Sequence, residues 1–193
     1  KVRRVDLEVR LSRLKEYSES CPWNRTEYGD FKTGVIASGP SYQYAKEVWG
    51  DTVSYLKLGF TNPLPDDLIR DFCSKMETIY IVEENDPYLE DRVRMLGFEC
   101  RGKDLFPKMG EMTPDVIRKA LYGESLPSLE YDNSTVVGRP PTLCAGCPHR
   151  GFFYQLGKKK NVMISGDIGC YTLGFAKPYN AMDSTVCMGA SFS

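Results

Sequence analysis

Between residues 32 and 123, short β-branched and aromatic runs alternate with amphipathic stretches of about ten residues. The runs predict strands at 33–38, 52–59, 78–84 and 98–102. The amphipathic stretches predict helices at 41–50, 63–76, 87–97 and 115–123. Gly50 and Gly97 end two of these helices, and Thr113 caps the last one. This alternation indicates an α/β domain built on a parallel sheet with crossover helices.

The segment before this domain is charged and helix-prone. Leu7, Leu11 and Leu14 recur at a spacing of four and then three residues, which predicts a helix over 1–20 with one narrow packing face. The following residues are rich in turn formers. We therefore expect residues 1–31 to form a charged helix and a linker ahead of the domain.

A polar stretch without periodicity follows residue 123 and predicts a linker over 124–138. After it, a helix at 152–159, a strand at 161–169 and a helix that opens at Asp183 indicate the start of a second α/β domain, over 139–193. The last helix lacks a stop signal, and the chain begins at Lys1 rather than Met. We therefore expect an internal fragment of a longer protein.

Composition and charge narrow the classes of function. Hydrophobic residues make up 41% of the 193 residues and charged residues 26%, which is ordinary for globular proteins. The net charge of −1 argues against nucleic acid or an anionic membrane as a partner, because either requires a basic face. No apolar run approaches the ~20 residues of a membrane span, and no secretory signal is visible.

Cysteine is unusually frequent near the end of the chain. There are seven cysteines, an odd number, and four of them fall between residues 144 and 187. A secreted disulfide scaffold would be shorter, with more evenly spread cysteines. We therefore expect a reducing, cytoplasmic compartment and a site that uses cysteine.

The spacing of these cysteines leaves several interpretations open. Cys144 and Cys147 form a Cys-x-x-Cys pair, and Cys170 follows a predicted strand. A zinc site would need four ligands, which Cys187 or His149 could complete. Three further interpretations are open. They are a redox dithiol, structural thiols in a turn and in the core, and an iron–sulfur cluster with three ligands in this chain. His149 is either a donor to a backbone oxygen or a contact for an anion or polar substrate.

The predicted parallel sheet offers a second place for ligands, at the carboxyl ends of its strands. No Gly-x-Gly-x-x-Gly follows the first strand, so a dinucleotide-binding fingerprint is absent from the sequence. We expect most polar residues at the strand ends to be caps and loop formers. Those residues are Ser38, Ser41, Asn62, Glu83, Glu84 and Asp86.

Several longer motifs occur in a characteristic order. Near the end of the chain stand RPPTLCAGCPHRGFFYQL, ISGDIGCYTLG and YNAMDSTVCMGAS. They are preceded by GVIASGPSYQYAKEVWG, LKLGFTNPLP, IYIVEENDPYLEDRVRMLG and GKDLFP. Together these motifs resemble, over nearly the whole chain, the alpha subunits of the indolepyruvate:ferredoxin oxidoreductase family.

The resemblance implies an enzyme that oxidatively decarboxylates aryl 2-oxo acids, typically indolepyruvate, to the acyl-CoA. It implies thiamine diphosphate with Mg²⁺, coenzyme A and 4Fe-4S iron–sulfur clusters, with ferredoxin as the electron acceptor and a smaller beta subunit as partner. Residues 32–123 would match a transketolase C-terminal-like domain. Residues 139–193 would match the start of a thiamine-diphosphate-binding domain.

The resemblance also implies roles for single residues. Cys144, Cys147 and Cys170 match cysteines that hold an iron–sulfur cluster in related enzymes. No residue matches a catalytic acid or base, and the magnesium-binding motif of the family has no counterpart, so we expect the fragment itself to be inactive. The competing class is a non-catalytic structural or docking domain with a zinc-binding cysteine appendage. The implied cofactor-binding residues are His149, Gly166, Asp167, Ile168, Gly169 and Asn180.

Overall fold

The computed structural model describes residues 2–127 and 129–189. The chain divides into two compact units, Lys1–Ser128 and Leu129–Ser193, which we call unit 1 and unit 2. The division between them falls inside the polar stretch 124–138. Each unit has its own buried apolar side chains.

Unit 1 is built on a mostly parallel sheet whose described strands follow the order β1-β3-β2-β4. β2 is central and parallel to both β3 and β4, with Val35 opposite Tyr55 on one side and Tyr80 on the other. β1 is antiparallel to β3. The predicted α/β class with a mostly parallel sheet is therefore confirmed. The strands are β1 (Arg25–Glu27), β2 (Thr33–Ser38), β3 (Ser54–Leu58) and β4 (Thr78–Val82).

Two helices of unit 1 show the end signals that the sequence predicts, whereas the helix predicted over 63–76 is shorter and spans Asp66–Cys73. The Thr113 hydroxyl accepts the N–H of Val116 at 3.3 Å at the start of α5. The end of α2 is followed by Gly50, whose φ is +65°. No helix in the described residues is long and apolar enough to cross a bilayer. The helices are α1 (Val2–Ser20), α2 (Pro40–Trp49), α3 (Asp66–Cys73), α4 (Tyr88–Met95) and α5 (Pro114–Tyr122).

Alternate side chains of the strands enter two separate apolar clusters, one on each face of the sheet. This follows from the two-residue period of a strand. Ile36 of β2 belongs to the cluster formed with α3 and α4, whereas its neighbours Val35 and Ala37 belong to the cluster formed with α2 and α5. The helices contribute, among others, Ile69, Phe72 and Val93 to the first cluster and Tyr42, Ala45 and Ile117 to the second.

Two elements of the sheet differ from the sequence prediction. The segment 21–31, predicted as a linker, contributes β1, because the backbone of Arg25–Glu27 pairs with β3. The stretch 98–102, predicted as a strand, forms only an isolated parallel bridge between Tyr80 and Arg101. In both places the pairing depends on a partner distant in sequence, which local residue preferences do not reveal.

The first helix is present, but its predicted packing face is not. Leu7 and Leu11 are each 37% exposed and Leu14 is 40% exposed. Their spacing makes only a narrow stripe among charged residues, too narrow to bury the helix. α1 is attached near its end instead, where the Glu19 carboxylate accepts two backbone N–H groups of α3 at 3.1 and 3.0 Å.

Unit 2 contains less regular structure. Its small buried core consists of Leu143, Phe153 and Ala181. A 3-10 turn over Thr172–Gly174 lies between its strands, which are parallel to each other. The regular elements are α6 (Pro148–Leu156), β5 (Ser165–Gly166) and β6 (Ser184–Thr185).

Unit 2 also corrects the sequence prediction in three places. The helix predicted at 152–159 begins at Pro148, a residue suited to the first helical turn. The strand predicted over 161–169 is reduced to β5. The stretch from Asp183 enters β6 rather than a helix, because Asp183 exchanges two hydrogen bonds with the backbone of Ile164, at 2.7 and 2.9 Å. Residues 190–193 of that predicted helix lie outside the described residues.

Candidate functional site

Cys144 and Cys147 mark the ends of a tight turn that leads into α6. The N–H of Cys147 donates to the Cys144 carbonyl at 3.2 Å, and Gly146 adopts a φ of +73°, which favours glycine. The Arg150 guanidinium fixes this turn, because its Nε donates to the Cys144 carbonyl at 2.9 Å and its Nη2 donates to the Leu143 carbonyl. The Cys144 side chain is exposed, and Cys147 is half-buried at the helix N-terminus.

His149 contacts the second thiol of this turn. Its Nδ1 lies 3.2 Å from the Cys147 Sγ. The imidazole ring is nearly parallel to Phe153, with centroids 5.9 Å apart, and meets the edge of Tyr171 at 5.1 Å. His149 therefore contacts a sulfur and two aromatic rings, whereas one of its two predicted roles was donation to a backbone oxygen.

A second loop, residues 166–170, follows β5. Gly166 is buried, and a Cβ at this position would collide with the Met182 side chain. The Asp167 carbonyl accepts the Thr172 hydroxyl at 2.8 Å, and the N–H of Ile168 donates to the Cys187 carbonyl at 3.4 Å. The loop is thus tied to both the turn that follows it and the segment after β6.

Tyr171 brings this loop next to the Cys-x-x-Cys turn. Its ring lies 5.1 Å from that of His149 and 5.9 Å from that of Phe153, measured between centroids. Cys170 immediately precedes Tyr171 and has an exposed side chain. The aromatic contacts therefore place the predicted cysteine loops on neighbouring parts of unit 2.

The cysteines do not form a ready-made metal site. Thiolates are the usual ligands of iron–sulfur clusters and of zinc, so the donor type fits. Across residues 2–127 and 129–189, however, no group of three or more His, Cys, Asp or Glu side chains is placed to hold a metal ion. The ligand roles of Cys144, Cys147 and Cys170 stay predictions, and no electron-transfer step follows from their arrangement.

The cysteines of unit 1 belong to a different class. Cys21, Cys73 and Cys100 are buried in its core or beside it. Burial raises the pKa of the Cys73 thiol to about 12 and that of Cys100 to about 11. Such thiols hold their protons at neutral pH and act as small apolar side chains.

The residues implied in cofactor binding occupy two different turns of unit 2. Gly166 to Gly169 form the loop after β5, in which Ile168 and Gly169 are exposed and Asp167 is half-buried. Asn180 is exposed in another turn, with a φ of +46° and its N–H donating to the Ala176 carbonyl at 3.2 Å. The end of the Met182 side chain lies where a Cβ of residue 166 would stand, so Met182 packs against Gly166.

A cleft of about 230 Å³ opens beside the Cys-x-x-Cys turn. Its lining includes two cationic side chains, Arg150 and Lys177, together with the apolar Leu143 and Leu173. Basic side chains over an apolar floor can accept an anionic group that is attached to an apolar body.

The sequence analysis missed the side chains that organise this site. It assigned no role to Arg150, whereas the guanidinium holds two carbonyls of the cysteine turn. It assigned no role to Phe153 or Tyr171. Residues 149 and 153 lie four apart and share a face of α6, but the helix was predicted only from residue 152, so this pairing followed only from the observed start of α6 at Pro148. The contact with Tyr171 had no local signal.

The structure defines a mixed α/β protein whose second unit presents paired cysteines at a helix N-terminus. No family model matches the chain. It is 36% identical to the indolepyruvate oxidoreductase subunit IorA of Thermococcus kodakarensis, in an alignment that covers 94% of this chain and 32% of that protein. The corresponding subunits of Archaeoglobus fulgidus and Pyrococcus abyssi are 35% and 37% identical, again over 94% of this chain and over 33% and 32% of their own lengths.

These alignments confirm the family resemblance that the sequence motifs predicted. The chain is homologous to part of the indolepyruvate oxidoreductase alpha subunit, IorA. It spans about a third of the length of the curated relatives it matches.

Proposed function

We propose that this chain is part of a subunit that oxidatively decarboxylates aryl 2-oxo acids such as indolepyruvate. The observation that carries the proposal is the alignment of 94% of the chain with subunits named indolepyruvate oxidoreductase. The proposed product is the acyl-CoA, and the proposed electron acceptor is ferredoxin. Because the chain spans about a third of those relatives, we propose that turnover needs their remaining regions and a beta subunit, and that the chain alone is inactive.

The proposal includes thiamine diphosphate with Mg²⁺ and an iron–sulfur cluster. Thiamine diphosphate would lie beside residues 166–169, where it would supply the electron sink for decarboxylation. The cluster would be held by Cys144, Cys147 and Cys170. The contact between the rings of His149 and Tyr171 supports a shared site, because it joins the two loops that would carry these groups.

Within this site, the chain itself provides positioning. Arg150 holds the cysteine turn through two carbonyls, which limits the freedom of both thiols. His149 restrains the Cys147 thiol at 3.2 Å. The proposed compartment is the cytoplasm, because the clustering of four cysteines between residues 144 and 187 is unlike the even spread of a secreted disulfide scaffold.

The test is the metal content of the protein, purified with its beta subunit in the absence of oxygen. Iron, zinc and acid-labile sulfide are measured in the wild type, in Cys147→Ala and in Cys100→Ala. Cys100 is the control, because its thiol is buried in unit 1 and is not part of the proposed site. We expect Cys147→Ala to lose about one cluster's worth of iron and sulfide and Cys100→Ala to lose none.

A second measurement tests the proposed reaction independently of cluster binding. The same preparations are assayed for reduction of a viologen dye that depends on both indolepyruvate and coenzyme A. If Cys147→Ala retained the full content of iron and sulfide, the proposal that this turn binds a cluster would be wrong. Absence of indolepyruvate-dependent reduction in the wild type would contradict the proposed reaction. Loss of zinc from Cys147→Ala would favour a non-catalytic, zinc-stabilised docking domain.

A further inference from the structure

The Cys-x-x-Cys motif of unit 2 places two thiols at the ends of one hydrogen-bonded turn. The backbone N–H of Cys147 donates to the Cys144 carbonyl at 3.2 Å, so these residues are the first and last of a β-turn. The Cα atoms at the ends of such a turn lie less than ~7 Å apart. A disulfide requires a Cα separation of about 4.4–6.8 Å. The backbone of this turn is therefore compatible with a disulfide between the two residues.

This pair of thiols is accessible from solution, unlike the cysteines of unit 1. Cys144 is exposed and Cys147 is half-buried, and both thiols are free. The side chains of Cys21, Cys73 and Cys100 are buried. Thiol–disulfide exchange requires that the reagent reach the attacking sulfur. A disulfide reagent would therefore meet Cys144 first, with Cys147 at the other end of the same turn.

The two other exposed cysteines of unit 2 lie on different segments. Cys170 follows the loop after β5, and Cys187 follows β6. Across residues 2–127 and 129–189, no three His, Cys, Asp or Glu side chains gather around a metal position. When no cluster draws these segments together, the cysteine nearest to Cys144 along the chain is Cys147, three positions away.

The surroundings of the turn favour an anionic reagent. The cleft of about 230 Å³ beside the turn is lined by Arg150 and Lys177 and by no Asp or Glu. Residues 133–182 contain six Lys or Arg residues and a single acidic residue, Asp167. A positively charged surface raises the local concentration of anions and their rate of arrival. Small disulfides such as oxidised glutathione carry carboxylates, which these cations attract.

We propose that Cys144 and Cys147 form a reversible disulfide by exchange with a small anionic disulfide when no cluster occupies the turn. The Cys144 thiolate attacks one sulfur of the reagent, forms a mixed disulfide and releases the first thiolate. The Cys147 thiolate then attacks the Cys144 sulfur, closes the protein disulfide and releases the second thiolate. Two protein thiols are oxidised, the reagent is reduced to two thiols, and the two protons pass to the released thiolates.

The modification controls the loading of the proposed cluster site. Cluster ligands are thiolates, so a disulfide between Cys144 and Cys147 removes two of the three proposed ligands. The disulfide also protects both sulfurs from irreversible oxidation to sulfinic and sulfonic acids. This regulatory role rests on the function proposed above, whereas the disulfide itself does not.

The first experiment follows the exchange by mass spectrometry. The purified protein is reduced, freed of metal ions with a chelator and incubated with oxidised glutathione in the absence of oxygen. We expect the peptide that contains Cys144 and Cys147 to lose the mass of two hydrogen atoms and dithiothreitol to restore it. In Cys147→Ser, a glutathione adduct should instead accumulate on Cys144, because no second thiol displaces it. Cys187→Ser, which changes an exposed thiol outside the turn, is the control and should form the disulfide like the wild type.

A second experiment tests the preference for an anionic reagent. Rates of disulfide formation are measured at low ionic strength with oxidised glutathione and with the cationic disulfide cystamine. Lys177→Gln should slow the reaction with oxidised glutathione about threefold and should not slow that with cystamine, because one cation beside the turn is removed. Lys158→Gln is the matched control, because that ammonium lies over the Tyr154 ring and does not line the cleft.

The result can contradict this proposal or the function proposed above separately. A stable glutathione adduct on Cys144 of the wild type, a disulfide from the turn to Cys170 or Cys187, or no reaction at the turn would overturn the proposal. Equal effects of Lys177→Gln and Lys158→Gln would overturn the anionic preference. Iron and sulfide are then supplied to the reduced and the disulfide forms, and we expect only the reduced form to take up a cluster. Uptake by neither form would contradict the proposed function, while the mass measurement still decides the disulfide.

Discussion

At the residue scale, unit 2 depends on a glycine that allows two backbone segments to touch. A Cβ built at Gly157 would collide with the carbonyl oxygen of Tyr179, which is backbone and cannot rotate away like a side-chain end. We predict that Gly157→Ala destabilises unit 2 by about 1–3 kcal/mol, as overpacking does elsewhere. Hydrogen exchange of the α6 amides, measured in increasing urea, reports this loss.

A matched glycine in the same unit provides the control. Gly151 lies inside α6, and a Cβ there would meet nothing within 4 Å. Gly151→Ala should therefore stabilise the helix by about 0.5–1 kcal/mol, because alanine has less backbone entropy to lose on folding. If both variants changed the exchange rates equally, the backbone contact at Gly157 would not be the cause.

Local residue signals were reliable where the interaction itself is local. The Thr113 cap and the glycine after α2 were predicted from sequence, because a cap or a positive φ is decided by a few neighbouring residues. The contact between His149 and Tyr171 was not predicted. Those two rings are 22 positions apart, and only the fold of unit 2 brings them to 5.1 Å.

At the element scale, strands that local residue preferences define were predicted correctly, and those that depend on a partner distant in sequence were not. β2, β3 and β4 were predicted, because they are runs of residues that favour buried strands. β1 was missed, because three residues in a turn-rich segment become a strand only by pairing with β3. The leucines of α1 were predicted to form a packing face, but they are exposed. Periodicity reveals a possible packing face and not whether a partner covers it.

Three helices of unit 1 meet at one buried carboxylate. Asp66, at the start of α3, is 8% exposed and accepts the Arg92 Nε of α4 at 2.7 Å, with a second bond from the same guanidinium. The Lys15 ammonium of α1 lies 3.1 Å away. Arg92, followed by Lys15, holds the pKa of Asp66 below its usual range, although burial acts in the opposite direction.

This network predicts a specific dependence of stability on pH. The pKa of Asp66 is lower in the folded state than the ~3.9 of an unfolded chain, so its contribution is complete above that value and is lost as pH falls through the folded-state pKa. Asp66→Asn should cost about 1–3 kcal/mol at pH 7 and flatten the acid limb of the stability curve. Urea unfolding followed by circular dichroism between pH 3 and 7 measures both effects.

The control for this prediction lies on the same helix. Asp71 pairs with Lys75 at 2.6 Å, but both side chains are well exposed. Exposed pairs contribute little, so Asp71→Asn should change the free energy of unfolding by no more than about 0.5 kcal/mol. A loss as large as that of Asp66→Asn would show that burial does not determine the contribution of these pairs.

At the scale of the whole chain, the fold of unit 1 was easier to predict than that of unit 2. A sheet of buried strands leaves a strong periodic pattern, whereas unit 2 is held by short strands, turns and a core of few residues. Its cysteine motifs identified the family, as the alignments confirm. They did not determine whether the thiols gather around a metal, because ligand geometry depends on loops whose conformation local patterns do not specify.

The connection between the units supports a prediction for the intact chain. Residues 124–127, 129–132 and 134–142 are exposed and almost devoid of regular structure, and Leu129 and Tyr131 are 92% and 70% exposed. Exposed irregular segments are preferred sites of proteolysis. Limited chymotrypsin treatment should therefore cut first after Leu129 or Tyr131, as mass spectrometry of the products can determine. A variant with both residues changed to Gly should lose these early products, whereas first cuts within α2 to α5 would show that unit 1 opens more readily than the connection.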